Sequence, residues 1–477
     1  MKWLRRALIL IHRYLGIALC LLFVVWFVSG IGMIYAGGMP RLDPSERLAR
    51  MPPLDVSRVR ITPSQAAAKG EVRGPGRVVL LTIEDRPAYR FPGRRPVTVF
   101  ADTADIFSGV DEARSLAIAS RFMSLPASAL RYVRLVESAD QWTIGERGRL
   151  PMHKIEVADA AHTELYVARD VGEVALQTTR GGRVLAWAAA IPHWFYLTPL
   201  RGNDNLWSRV VIWTSGLGIV SAFLGLVLGI TQLRVKYAGW MRWHYVTGVI
   251  FGVFTLTWVL SGFLSMEPIE WFSRGEGGGG DIRPALTGGP LQLDAFPAMD
   301  APAWAQALGG RPVKEVELRR IQGEPYYYVK GLEDRPVFVA ANPLRVQRES
   351  FPVESIIERV KAGYPDAPVA EAQLLSDYDA YYYDRARELP LPVLRVKFAD
   401  ADGTWAYVDG MSQLLGLRTR RQRVERWLYH GFHSLDFPFL YFRRPLWDAV
   451  VIALCGGGAL LSMVGVVIGF KRLRRLI

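Results

Sequence analysis

The sequence predicts an integral membrane protein of the α-helical class: a four-helix transmembrane core that arises from an internal duplication, with two α+β domains outside the membrane. Three observations predict this fold. Four apolar stretches are long enough to cross a bilayer. Motifs recur at fixed offsets in the two halves of the chain. Alternating, strand-like stretches occur in the two long segments between the apolar ones.

The four apolar stretches lie at about 8–36, 209–233, 244–266 and 447–470. Each exceeds the roughly 20 residues that a helix needs to span a bilayer. The chain is 50% apolar with a mean hydropathy of +0.13, yet 22% of its residues are charged, which indicates a membrane protein with large water-exposed parts. The first stretch is too long for a signal peptide and lacks a clear small-x-small cleavage site, so we expect a retained helix.

Basic residues flank the apolar stretches on one side. The N-terminus, the short loop 234–243 and the tail 471–477 carry four, three and four Lys or Arg and no acidic residue, which is +11 of the formal +13. The positive-inside rule then predicts cytoplasmic termini, with the exported segments 37–190 and 267–428 on the far side of the membrane and interfacial segments at 191–208 and 429–446. Because the charge lies in membrane flanks, it does not indicate a nucleic-acid partner.

Each exported segment is predicted to form short strands and then a helix. The matching stretches are 78–83, 87–91, 95–102 and helical 111–123 in the first segment, and 313–321, 325–329, 335–342 and helical 353–364 in the second. We therefore expect two copies of a small α+β domain. We expect the tyrosine clusters Tyr326–Tyr328 and Tyr381–Tyr383 to pack on strands, the alternative being an aromatic ligand surface. The run Gly277–Gly280 is predicted to be a flexible linker, the alternative being a mobile lid.

Histidines recur at the same offsets as the apolar stretches. His244 follows His12 by 232 positions, and His433 follows His193 by 240. The Trp-x-x-Ser-Gly motif at 26–30 likewise returns at 258–262. The remaining two histidines outside the spans, His153 and His162, have no histidine at the matching positions. They are expected to be surface or packing residues.

The repeated histidines predict two metal or haem sites. A parallel duplication places a pseudo-two-fold axis along the membrane normal, so His12 would face His244 near the cytoplasmic surface and His193 would face His433 near the exported surface. Two facing imidazoles can supply both axial ligands of a haem iron. His430 has no counterpart, so symmetry favours His433, and His430 is the alternative ligand or a group near the outer haem edge. A purely structural role, hydrogen bonding between helices, is the other interpretation.

Other residues bear on these sites. Haem propionates need cationic partners at the membrane surface, and Arg13 and Arg242 suit the inner site, with Arg201, Arg443 and Arg444 for the outer one. Interfacial anchoring is the alternative role of these arginines. Glycines recur along the spans and would leave room for a flat macrocycle or for close helix packing. Zinc is disfavoured, because it needs three or four converging ligands. Both cysteines lie within spans, so no disulfide framework is expected outside the membrane.

These residues resemble the PepSY-associated transmembrane family. The resemblance rests on His12-Arg-Tyr-Leu-Gly, the Ser29-Gly30 pair, the strand pattern that ends in Val-Phe-Ala-Asp, and the Trp427 to His433 segment. It covers essentially the whole chain. It implies PepSY-like domains outside the membrane, and some members are similar to di-haem ferric-siderophore reductases of the bacterial inner membrane. The two large periplasmic segments and His430 depart from a minimal version of the family pattern.

The expected function is therefore an enzyme: a membrane ferric reductase with two b-type haems. Its partners would be a ferric siderophore or another iron chelate, an electron donor that is either quinol or a cytosolic reductase, and the lipid bilayer. Three alternatives are open: a haem oxidoreductase for another periplasmic acceptor, a non-catalytic protein whose PepSY-like domains bind or inhibit a peptidase, and a transporter. The lack of broken helices and buried carboxylates in the spans argues against the transporter.

Overall fold

The computed structural model describes residues 2–233, 235–268, 281–331 and 335–475. The predicted linker Gly277–Gly280 lies outside these residues. The helices in chain order are α1 (Lys2–Ala36), α2 (Pro44–Arg50), α3 (Pro63–Lys69), α4 (Glu112–Met123), α5 (Arg180–Ala188), α6 (Ala190–Trp194), α7 (Thr198–Arg201), α8 (Asp204–Thr231), α9 (Gly239–Leu264), α10 (Arg283–Thr287), α11 (Ala301–Leu308), α12 (Val353–Gly363), α13 (Arg420–Arg426), α14 (Phe432–Ser434), α15 (Pro438–Tyr441) and α16 (Leu446–Leu473).

Among the described residues, four helices, α1, α8, α9 and α16, are long and apolar enough to cross a membrane. Helices α8 and α9 begin five residues before the apolar stretches at 209 and 244. The reason is local. Asn203 caps α8 by accepting a hydrogen bond from the Leu206 amide, so the helix starts among polar residues.

The four spanning helices pack as a bundle. Helix α1 lies against α8 and α16, and α9 lies against the same two helices. Leu19, Phe23, Phe27, Trp258 and Val259 are buried at its centre. Glycines let the helices approach closely: a Cβ on Gly458 would lie 2.6 Å from the Phe27 ring, and one on Gly218 would lie 2.9 Å from Val259. The core is therefore filled by large side chains from two helices set against glycines of the other two.

The segments between the spans form three antiparallel sheets. The strands in chain order are β1 (Val78–Ile83), β2 (Arg86–Phe91), β3 (Val97–Phe100), β4 (Leu130–Val136), β5 (Met152–Val157), β6 (Glu164–Ala168), β7 (Glu173–Thr178), β8 (Glu315–Ile321), β9 (Glu324–Lys330), β10 (Val337–Ala341), β11 (Leu344–Gln347), β12 (Val369–Leu375), β13 (Val393–Phe398), β14 (Trp405–Asp409) and β15 (Leu414–Arg418). The strands and helices predicted from alternation are present within a few residues of the predicted bounds.

The largest sheet joins the two segments. Its seven strands run in the order β11-β10-β9-β8-β1-β2-β3, and β1 pairs with β8 antiparallel, with Val79 opposite Glu317 and Leu80 opposite Val316. The two segments, each expected to form a small α+β domain, are thus joined through one sheet. Each segment adds a four-stranded sheet of its own, β4-β5-β6-β7 or β12-β13-β14-β15, but the central sheet is shared. This sharing places both segments on the same side of the helix bundle.

Buried charges lie where the two segments meet. Glu315 at the start of β8 is 2% exposed and pairs with Arg47, from the first segment, and with Lys330 at 2.6 Å. Glu317 pairs with Arg77 at 2.7 Å across the same seam. Burying a carboxylate is costly unless it is paired and hydrogen-bonded. These ion pairs therefore fix how the first segment meets the second.

The second tyrosine cluster does not lie on a strand. Tyr326 and Tyr327 are in β9, as expected, but Tyr381–Tyr383 belong to an irregular stretch between β12 and β13. That stretch reaches the segment before α16: Tyr381 accepts a hydrogen bond from Trp427 Nε1 at 3.1 Å, and the Tyr383 hydroxyl donates to Asp436. The rings still pack on a sheet as expected, with Tyr381 against Trp405 and Tyr382 against Tyr407 of β14. The hydroxyls of Tyr381 and Tyr383 make contacts outside the sheet.

Candidate functional site

The first histidine pair lies between α1 and α9. His12 is the eleventh residue of α1 and His244 is the sixth of α9, so both lie toward the end of the bundle that carries the chain termini. Their ring centres are 6.1 Å apart and their planes are inclined by 35°. This is the pair that the repeat predicted for one membrane surface. We call it the inner pair.

The second pair, called the outer pair below, lies at the opposite end of the bundle. His193 is in the short helix α6 and His433 is in the still shorter α14. Helix α6 packs on α1, and α14 packs on α9. The two ring centres are 6.0 Å apart and the planes are inclined by 68°. Residues 240 positions apart are therefore brought face to face.

Tryptophans hold the short helices in place. Trp207 Nε1 in α8 donates to the Trp194 carbonyl at 2.8 Å, and Trp447 Nε1 in α16 donates to the Ser434 carbonyl at 2.9 Å. Both contacts tie the residue that follows an outer histidine to the next spanning helix. The two contacts are related by the same offset of 240 as the histidines.

The Nδ1 atoms of the outer pair are engaged in equivalent ways. His193 Nδ1 lies 3.1 Å from Ser29 Oγ and 3.2 Å from the Trp26 carbonyl. His433 Nδ1 lies 3.0 Å from Ser261 Oγ, and Ser261 itself donates to the Trp258 carbonyl at 2.9 Å. A carbonyl oxygen only accepts, so Nδ1 carries the proton and Nε2 keeps its lone pair. Both serines are 1% exposed.

In the inner pair the two Nδ1 atoms differ. His12 Nδ1 donates to the Ser221 carbonyl at 2.9 Å. His244 Nδ1 is buried, and within the described part of the chain it has no hydrogen-bond partner. Nδ1 of His12 is therefore a donor, and Nε2 is left as the atom that can ligate a metal.

Glycines border the rings of all four histidines. A Cβ on Gly225 would lie 2.8 Å from His12 Cε1, and one on Gly30 would lie 3.5 Å from His193 Cε1. The repeat-related Gly465 and Gly262 would each place a Cβ 3.9 Å from Cε1 of the histidine of the second half at the same site. Other glycines of the spans, such as Gly218 and Gly458, serve helix packing instead. Close helix packing, one of the two roles expected from the sequence, is thus present at Gly218 and Gly458, whereas room for a macrocycle stays a prediction.

The ring spacing fits two imidazoles on opposite sides of one metal. An imidazole nitrogen ligates a metal at about 2 Å and lies about 1 Å from its own ring centre, so two such rings have centres roughly 6 Å apart. Among the residues described, no group of three or more His, Cys, Asp or Glu could hold a metal ion. A bare ion would thus have two protein ligands, whereas a porphyrin supplies four nitrogens of its own. The donor set therefore fits a haem at each pair.

His430 lies beside the outer pair and is not the residue opposite His193. Its ring makes an edge contact with Tyr429, with centres 5.0 Å apart, and Tyr429 in turn stacks on His433 at 5.1 Å. A π-helical turn over Trp427–Gly431 precedes α14 and changes the direction in which the following residues project. His433, and not His430, is thereby aimed at His193.

The predicted propionate partners are placed unequally. Arg13 is half-buried in α1, one residue after His12, whereas Arg242 and Arg443 are exposed. Arg444 is exposed and pairs with Asp448 while lying over the Trp447 ring. Arg201 is held by Asp204 and by the rings of Tyr196 and Trp207. Arg201 and Arg444 thus have structural partners already, and the arginine roles at the haem edges stay predictions.

Sequence reasoning missed a buried ion pair near the outer site. Arg426 and Asp436 are 7% and 4% exposed, their closest atoms are 3.4 Å apart, and Asp436 also accepts from Tyr383. The Arg426 guanidinium lies over the Trp427 ring at 4.1 Å. Position 186 in the first half is an alanine, so the repeat carries no signal for this pair. The Ser-Gly motifs, by contrast, could have identified Ser29 and Ser261 as histidine partners.

The last two histidines have no part in either site. His153 is 5% exposed, with Nε2 2.8 Å from the Val110 carbonyl and Nδ1 3.2 Å from the Tyr132 hydroxyl. His162 is exposed in the turn before β6.

Comparison with known proteins agrees with this architecture. The family model described as the PepSY-associated TM region matches residues 9–472, which include all four spanning helices and both segments between them. A search of curated proteins found no match. Since the family model covers nearly the whole chain, the protein belongs to the PepSY-associated transmembrane family.

Proposed function

We propose that this protein is a membrane ferric reductase with two b-type haems, one at each histidine pair. The observation that carries the proposal is the spacing of the ring centres, 6.1 Å at the inner pair and 6.0 Å at the outer pair. This is the spacing expected of two imidazoles that would bind one iron from opposite sides. A haem held by two imidazoles supplies one-electron transfer at an iron that has no free coordination position.

An internal duplication is part of the proposal. The Ser29–His193 contact recurs as Ser261–His433, and the Trp207 and Trp447 contacts recur in the same way. Strands β1 and β8 pair antiparallel at the centre of the shared sheet, and the midpoint of their pairing lies between Val79 and Leu80 of β1. These relations are those of a pseudo-two-fold axis that runs through the seam of the sheet and both histidine pairs.

The proposed location is the bacterial cytoplasmic membrane, with the chain termini in the cytoplasm and the sheets in the periplasm. The absence of acidic residues from the N-terminus, the loop 234–243 and the tail 471–477 supports this orientation, because cytoplasmic flanks are enriched in Lys and Arg. The inner pair would then receive electrons from quinol or a cytosolic reductase, and the outer pair would face the periplasmic acceptor.

The protein's own groups have distinct tasks at each site. The four Nε2 atoms would hold the irons of the two haems. The carbonyls of Trp26 and Ser221 and the hydroxyls of Ser29 and Ser261 orient the rings, and a histidine that donates through Nδ1 is a more basic ligand through Nε2. Orientation by groups on rigid spanning helices keeps the ring geometry fixed during electron transfer.

The core between the pairs excludes water. From His12 to Trp26 the helical rise is roughly 20 Å, and this distance is spanned by Leu19, Phe23 and Phe27 on α1 with Trp258 on α9, all under a tenth exposed. These side chains belong to one packed apolar cluster. The two sites are thus separated by a packed, largely aromatic layer.

The proposed substrate is ferric iron in a siderophore or a similar oxygen-donor chelate. One electron converts the chelated Fe(III) to Fe(II), which such hard ligands hold less tightly, so the iron is released. The electron comes from the donor on the cytoplasmic side, and the chelator is left chemically unchanged. This reaction would serve iron uptake.

The test is single-turnover reduction of a ferric chelate. The purified haem-loaded protein is reduced under anaerobic conditions, freed of reductant, and mixed with an Fe(III) trihydroxamate in the presence of a chromogenic Fe(II) chelator. We expect reoxidation of the haem spectrum and close to two Fe(II) per chain. The same chelator loaded with redox-inert Ga(III) is the control. A reduced spectrum that persists with the iron chelate but disappears with oxygen would contradict the proposed substrate.

A further inference from the structure

The two histidine pairs differ in the angle between their rings. The inner planes are inclined by 35° and the outer planes by 68°, although the ring centres are equally far apart. Unequal hydrogen bonding does not account for the outer angle, because Nδ1 of His193 and of His433 has a serine partner at 3.1 and 3.0 Å. The contacts that differ between the two outer rings lie outside these repeated serine partners.

The asymmetric feature is the ring of Tyr429. It stacks on His433 with centres 5.1 Å apart and planes only 22° from parallel. The residue at the matching place in the first half is Ala189, which packs so closely on α1 that a Cβ on Gly32 would lie 2.9 Å from its own Cβ. Position 264, which matches Gly32, is a leucine. A small pair in one half is thus replaced by a large pair in the other.

The backbone differs at the same point. In the first half the chain breaks between α5 and α6 at Ala189, with φ −122° and ψ −82°. In the second half a π-helical turn over Trp427–Gly431 carries Tyr429 instead. Such turns occur mostly at functional positions within helices. The turn places the tyrosine ring against one face of His433, whereas in the part of the chain that the structure describes no Tyr, Phe or Trp ring stacks on His193.

We propose that Tyr429 is a positioning residue that sets the plane of the His433 ring and makes the outer haem electronically different from the inner one. The inference rests on haem binding in the proposed function. Each axial imidazole interacts through its π system with the iron d orbital perpendicular to its plane. Nearly perpendicular planes engage both d orbitals equally and leave them close in energy, whereas planes closer to parallel separate them. The protein sets this through what surrounds the axial ligands.

Electron paramagnetic resonance of the oxidised protein reads out this difference. We expect two low-spin ferric signals of equal intensity: a rhombic three-line spectrum from the inner haem and a strongly anisotropic, single low-field line from the outer haem. In His12→Ala, which lacks an inner ligand, the anisotropic line alone should be left. In Tyr429→Ala it should move to a rhombic spectrum, while Tyr429→Phe, which keeps the stacked ring, should preserve it.

The control is Tyr35→Ala, which removes a tyrosine that is 63% exposed on α1 at the same end of the bundle. Two rhombic signals in the unmodified protein would overturn the inference, and so would an unchanged anisotropic line in Tyr429→Ala. Neither result touches haem binding or iron reduction. If the protein bound no haem, no low-spin signal would appear, and the proposed function itself would be wrong.

Discussion

His193 and His433 lie with their ring centres 6.0 Å apart, yet each is oriented by its own half of the chain. Ser29 contacts His193, and Ser261 contacts His433. Neither half contains a complete site, because the second imidazole always comes from the other half. The orientation of each ring is thus set within one half of the chain. The assembly of each site depends on the packing of one half against the other.

Removing one histidine should empty one site and leave the other. In His12→Ala the inner site keeps a single imidazole, and in His193→Ala the outer site does, so we expect the haem content to fall from two to one per chain in each variant. Haem extracted as its pyridine complex, divided by protein concentration, measures this. Exposed His162 provides the control variant His162→Ala, which should keep both haems. Loss of both haems from His12→Ala would show that the sites do not fill independently.

Gly225 should be required for the inner site. A methyl group there would lie 2.8 Å from His12 Cε1, which is closer than carbon atoms approach, so the ring must move. We expect Gly225→Ala to lower the haem content from two toward one per chain and to weaken the inner signal only.

The matched control is Gly456→Ala. This glycine is also in a spanning helix, and a Cβ there would meet nothing within 4 Å. Full haem content is expected in that variant. Equal haem retention by the two variants would contradict the assignment of Gly225 to the inner site.

Breaking the buried Arg426–Asp436 pair should destabilise the protein. Asp436→Asn leaves the Arg426 guanidinium buried without its counter-charge, and removal of one partner of a buried pair costs about 3–5 kcal/mol. Thermal unfolding of the purified variant in detergent measures this loss of stability. Glu358→Gln breaks an exposed pair with Lys361 on α12 and should cost under about 1 kcal/mol. Similar losses of stability in the two variants would mean that the buried ion pair contributes no more to stability than the exposed one.

The seam of the shared sheet should weaken in acid. Burial by itself would raise the pKa of Glu315, but Arg47 and Lys330 outweigh it and hold the pKa below its ordinary value of 4.5. A lowered folded-state pKa stabilises the fold above the ordinary pKa, and this stabilisation is lost as the pH falls through the folded-state value.

Glu315→Gln tests this directly. At neutral pH the variant should be less stable by about 3 kcal/mol, since Arg47 and Lys330 lose their shared carboxylate. The gap between the thermal midpoints of variant and unmodified protein should shrink as the pH falls below 4.5, where the unfolded chain takes up the proton, and should close below the lowered folded-state pKa. A gap that is constant from neutral to acidic pH would contradict the role assigned to this charge.

Much of the fold could be predicted because its signals are periodic. Apolar length identified the four spans, and alternation located strands such as Val78–Ile83. The shared sheet could not be predicted, because β1 and β8 are over 200 residues apart and either could have been an edge strand. Strand pairing across such a distance leaves no mark in local alternation.

The candidate sites, too, could be predicted from the sequence only in part. The repeat led to His12, His193, His244 and His433, because a duplicated histidine at membrane depth is rare without a role. Tyr429 gave no such signal, since it differs from its counterpart Ala189, and repetition identifies only what the halves share. The π-helical turn that places it depends on packing against α9, which a single sequence does not disclose.

The most direct test of the account is the visible spectrum of the purified protein, oxidised and then reduced with dithionite, with haem counted per chain. The ring spacing in both imidazole pairs suits two ligands of one iron, so the account predicts two low-spin b-type haems per polypeptide. A protein expressed with ample haem that carries none would contradict it and would leave the histidines as structural residues of a PepSY-associated membrane protein.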